Sequence, residues 1–106
     1  MMNLLLTVHP ELGEIITTPV LQRPGLSVLQ ERVEGLIQPV YLPGLIEHDI
    51  VMLVNEEGLL NGLPINENLL PFFFVGNVVF VGIVDDDFHG LTHDQYEIVC
   101  DWLKSL

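Results

Sequence analysis

Apolar residues occur in short runs separated by glycine, proline and acidic residues, and the period within each run assigns its element. Residues 4–8 are apolar apart from Thr7 and stop at His9-Pro10, as a buried strand does. Residues 14–18 alternate and predict its neighbour, with Glu11-Leu12-Gly13 as the turn between them. Pro24-Gly25 breaks the chain, Ser27 is placed to cap a short helix running to Val33, and Gly35 stops it. Residues 36–42 and 50–54 read as strands. The first closes at Pro43-Gly44, and the second runs into Asn55-Glu56-Glu57-Gly58, the clearest hairpin signal in the chain. Gly62, Pro64 and Pro71 make residues 59–71 a loop, in which Asn66 caps one helical turn. The most apolar run, residues 78–84, predicts a central strand that Asp85, Asp86 and Asp87 end in solvent. Thr92 and Gln95 then have capping-box spacing, and Tyr96, Val99, Cys100 and Leu103 recur at helical period, with Ile98 and Trp102 extending that face.

These elements define an α+β fold: a single mixed, mainly antiparallel sheet of four to six strands, with a short middle helix and a C-terminal helix packed on one face. At 106 residues the chain fits one compact domain, residues 1–106. Hydrophobic residues are 49% of the chain and charged ones 17%, which excludes disorder and leaves more apolar surface than one sheet and two helices cover. A homo-oligomer is expected, with Leu59, Leu60, Phe72, Phe73, Phe74 and Trp102 as the interface candidates. Three consecutive aromatics in an extended segment cannot all point to one side.

Charge narrows the function classes. Three basic residues, Arg23, Arg32 and Lys104, face fifteen acids, for a formal charge of -12. That field disfavours direct binding to nucleic acid or to an anionic membrane. One cysteine, Cys100, rules out an internal disulfide, and the opening residues 1–8 carry no basic leader and are too short to span a membrane, so a cytoplasmic protein is expected.

No catalytic constellation stands out. Ser27 and Ser105 sit at a helix start and a terminus, and no phosphate loop or dinucleotide glycine pattern is present, so the expectation is a non-enzyme without cofactor. Asp85 to Gly90 begins like a calcium loop, but the bidentate acid position falls at Tyr96, with Glu97 one place late. His93 and Glu97 lie four apart on a helix face where a metal would need them, yet Gly90 and the Thr92 cap place His89 outside that helix, so no metal site is expected.

Residues 55–66, Asn-Glu-Glu-Gly-Leu-Leu-Asn-Gly-Leu-Pro-Ile-Asn, resemble the family of domain of unknown function 3846, which is carried by bacteriophages, plasmids and bacteria. Residues 75–82 followed by residues 91–95 resemble its second block, and residues 35–42 the segment before the first. Where many members have a basic residue soon after the turn, this chain has Leu59 and Leu60. The resemblance implies a fold and a phage or mobile-element setting, and no activity or catalytic residues.

Two function classes follow. The first is a non-enzymatic small-molecule binder of phage or mobile-element origin that sequesters a host immune nucleotide signal. Asn55, Asn61, Gly62 and Asn66 would supply hydrogen bonds, Arg23 a charge for phosphate and Tyr41 a ring for stacking. The second is an acidic DNA mimic, or protein-interaction inhibitor, that occupies a host defence enzyme.

Overall fold

A computed structural model describes residues 3–106; Met1 and Met2, which open the segment read above as lacking a leader, lie outside them. The first apolar run forms β1 (Asn3–Val8), and Gly13, at φ +85, turns the chain back into β2 (Ile15–Val20). After α1 (Leu26–Val33) come β3 (Ile37–Val40) and β4 (Ile50–Asn55), then a long loop, β5 (Val78–Val84), β6 (Asp87–His89) and α2 (His93–Lys104). The strand order is β2-β1-β5-β4-β3, with β6 also paired to β5, and every pairing between these strands is antiparallel. The architecture is α+β, with α2 packed on one face of the sheet.

Alternation along the strands divides the core into two layers. Val78 and Phe80 of β5 face one side with Leu6, Val8, Ile50 and Met52, where Val99 of α2 covers them and Tyr96, Cys100 and Leu103 pack alongside. Val79 and Val81 face the other side with Leu5, Val51 and Leu53, beneath Leu29 and Val33 of α1. The helices therefore cover opposite faces. This is why the 78–84 run is apolar at successive positions: a strand covered on both faces has no wet side to mark with polar residues.

Four local expectations change. Gly25, in extended conformation, precedes α1, and Ser27 lies inside the first turn without capping it. Glu34, not Gly35, takes the left-handed conformation that ends α1; Gly35 is required because a Cβ there would stand 2.6 Å from the Asn55 amide nitrogen. The turn at 55–58 does not close a hairpin. β4 pairs back with β3 across residues 41–49, and the chain leaves Gly58 into the long loop, where a Cβ at Gly58 would stand 2.8 Å from the Val75 side chain. Asp85 and Asp86 are both left-handed, at φ 50 and 65, and fold the chain back into β6 rather than straight on to the helix. Thr92 and Gln95 do form the capping box, and the Gln95 amide also donates to the carbonyls of His48 and Asp49.

Both open edges of the sheet are blunted. The His9 N–H donates to Glu14 and the Glu56 N–H to Leu36. Carried along the registers, this alternation turns the main-chain groups of Pro19 in β2 and Pro39 in β3 outward. An added strand would need an N–H at each of those positions, and proline has none. Pro19 and Pro39 thus disfavour strand addition along the β2 and β3 edges.

Candidate functional site

The long loop between β4 and β5 builds its own scaffold from the two asparagines singled out as ligand contacts. Asn55 is buried, its amide nitrogen 3.1 Å from the carbonyl oxygens of both Val33 and Glu34, while its oxygen accepts from the Glu57 N–H at 2.8 Å. Asn66 is fully buried. Its nitrogen donates to the carbonyls of Val8 at 3.0 Å and Gly76 at 2.9 Å, and its oxygen accepts from the Asn68 N–H. Each amide thus spends both kinds of bonding capacity within the chain.

The remaining expected contacts do not converge either. Arg23 pairs with Asp87 at 3.1 Å beside a small cavity under the start of α1. Tyr41 projects from the end of β3, more than half exposed. Asn61 and Gly62 close the exposed turn after Leu59-Leu60, with Gly62 at φ +66, and neither lines a cavity.

What the loop does shape is a groove. Residues 55–60 together with Phe73, Phe74 and Val75 line a groove of about 420 Å³, to which Gln38 of β3 and Val54 of β4 also contribute. Leu59 is 82%, Leu60 86% and Phe73 78% exposed. The three phenylalanines separate as their spacing requires. Phe72 stacks on Trp102 with ring centres 6.0 Å apart, Phe74 packs against the α2-side core, and Phe73 turns outward. Glu56 and Glu57, both exposed, also line this groove. Gln38 had no signal in the sequence, because only the β3–β4 pairing brings it to this loop.

The acids have no single face. All fifteen are exposed. Glu11, Glu14, Glu34, Glu56, Glu57 and Glu67 sit at the end of the sheet where β1 and β4 finish, and Glu47, Asp49, Asp85, Asp86, Asp87 and Asp94 at the end where they begin. The other three, Glu31 on α1 and Glu97 and Asp101 on α2, lie outside these two groups. Among potential metal ligands, His93, Asp94 and Glu97 cluster on exposed helix surface, with His93 Nδ1 3.6 Å from Glu97. His89 is apart from them, buried in β6, and its Nε2 has no hydrogen-bond partner. Among the described residues no helix is long and apolar enough to cross a membrane.

An antiparallel α+β domain with one helix on each face of its sheet, and with an apolar groove built by residues 55–60 and 73–75, is thus the class this chain defines. A family model described as Domain of unknown function (DUF3846) matches residues 2–104, and the chain belongs to that family. No curated protein and no solved structure matches it.

Proposed function

We propose that the protein is a non-enzymatic binding protein whose working surface is the groove beneath Leu59, Leu60 and Phe73. The carrying observation is the exposure of these three apolar side chains around one cavity, where a monomer has no reason to leave them wet. An outward phenylalanine beside two leucines suits a flat ring by stacking, and the exposed Gln38 in the lining offers an amide. Glu56 and Glu57 set the sign of the ligand: it is neutral or cationic, because phosphates placed beside them would be repelled.

The ligand class that fits is a nucleoside-type ring without phosphates. In a phage or mobile element, such a binder would sequester a host metabolite or signal of that kind. Phe73→Ala is expected to weaken adenosine binding about tenfold or more in calorimetric titration, with thermal stability unchanged. Equal affinity in the variant would remove the groove from consideration.

Self-association belongs to the same proposal, because a second copy laid on the groove covers the same residues and competes with the ligand. Light scattering reads it directly: a mass above 11.9 kDa that falls when adenosine is added is the expected result. A mass of 11.9 kDa at every concentration would end the self-association part alone.

A further inference from the structure

A separate cavity of about 370 Å³ lies where the last turns of α2 cross β1 and the β1–β2 turn. Its floor is the buried Leu6, and Tyr96, Cys100 and Leu103 form the helix wall. The opposite wall is strapped in place. Glu67 donates its N–H to the Pro10 carbonyl, the Gly13 N–H donates to the Asn68 side chain, and the Asn68 amide donates to the carbonyls of His9 and Glu11. The cavity is thus held open by bonds that do not need a ligand.

Among the side chains of the lining, Glu67 and Lys104 carry one charge of each sign. Among the described residues the ion pairs are Arg23 with Asp87 and His93 with Glu97, so Lys104 has no carboxylate partner. Glu67 uses one oxygen on the Leu12 N–H, at 3.3 Å, and keeps the other open. Both residues line this cavity and are not paired with each other. A purely anionic ligand would answer Lys104 but meet Glu67. A purely cationic one would answer Glu67 and be repelled by Lys104.

We propose that this cavity binds a free apolar α-amino acid, with its side chain between Leu6, Tyr96, Cys100 and Leu103, its carboxylate on Lys104 and its ammonium on Glu67. Only a zwitterion leaves neither lining charge unanswered, and the volume is at the small end of ligand cavities.

The test uses three probes that share one ring: phenylalanine, phenethylamine and 3-phenylpropionate, each titrated into the full chain by calorimetry. Phenylalanine is expected to bind about tenfold tighter than either single-charge probe. Lys104→Met should weaken phenylalanine and tighten phenethylamine, from which it removes a repelling charge, and Glu67→Gln should do the mirror image, weakening phenylalanine and tightening 3-phenylpropionate. Phenylalanine should also slow alkylation of Cys100, the single thiol. Equal affinities for the three probes, no binding of any, unprotected Cys100, or a phenylalanine affinity indifferent to both substitutions in folded variants would overturn the assignment. Phe73→Ala leaves this cavity intact, so its failure and that of the groove are read separately.

Discussion

Asn66→Asp should leave the protein largely unfolded at neutral pH. The substitution keeps the shape of the side chain and replaces its amide donor with a carboxylate oxygen, which then faces the carbonyls of Val8 and Gly76 at hydrogen-bond distance in a position with no solvent exposure. A buried charge without a donor, plus two carbonyls left unpaired, costs about 3 to 5 kcal/mol, a large share of what holds a small domain together. Asn66→Ala removes the same donors without adding charge and should cost somewhat less. Urea denaturation followed by the fluorescence of Trp102 measures both. If Asn66→Asp folds with near-native stability, the carbonyls of Val8 and Gly76 do not depend on that amide.

Phe80→Ala should cost a comparable amount for the opposite reason. Phe80 is the largest fully buried side chain, it lies on the central strand, and its ring meets Trp102 edge-on at 6.0 Å while Trp102 stacks on Phe72. Truncation leaves a cavity between β5 and α2, and β1 and β4, paired to β5 at Leu6 and Met52, hold its walls apart. The expected loss is about 3 to 5 kcal/mol in the same denaturation experiment. Phe80→Leu should recover much of it. Equal losses for the alanine and leucine variants would mean that the ring contact with Trp102, and not volume, is what the core needs.

The parts of this fold legible in the sequence are those fixed by neighbours along the chain. The double-sided apolar run of β5, the capping box at Thr92 and the helical period of Tyr96, Val99, Cys100 and Leu103 each state their structure locally. In the sequence Asp85 and Asp86 mark the end of a strand, because acids mark solvent. Their left-handed backbone becomes a hairpin only where the free edge of β5 beyond β1 gives β6 something to pair with. The same limit explains the asparagines. An amide in a loop looks available to a ligand, and nothing near Asn55 in sequence shows that the end of α1 brings two carbonyls to it. Asn66 was rightly placed as a cap, yet its larger task is joining β1 to the start of β5, across a distance in sequence that no period spans.

The candidate site divides along the same line. The outward turn of one phenylalanine follows from backbone alternation, and Leu59-Leu60 is apolar on any inspection. Their meeting over Gln38 requires the β3–β4 pairing and the return of residues 73–75. Charge balance could be counted beforehand, but the placing of twelve of the acids at the two ends of the sheet could not, because it follows from the strand pairing.

The groove is tested most directly by titrating the wild-type chain with adenosine, adenosine monophosphate and adenosine triphosphate at one low ionic strength, where Glu56 and Glu57 are least screened. The ring is constant and only the phosphate charge grows. Affinity should fall at each step, and the difference should shrink when salt is raised or when both glutamates are replaced by glutamine. Binding that tightens with each phosphate, or no adenosine binding at all, would contradict a groove that selects a neutral ring.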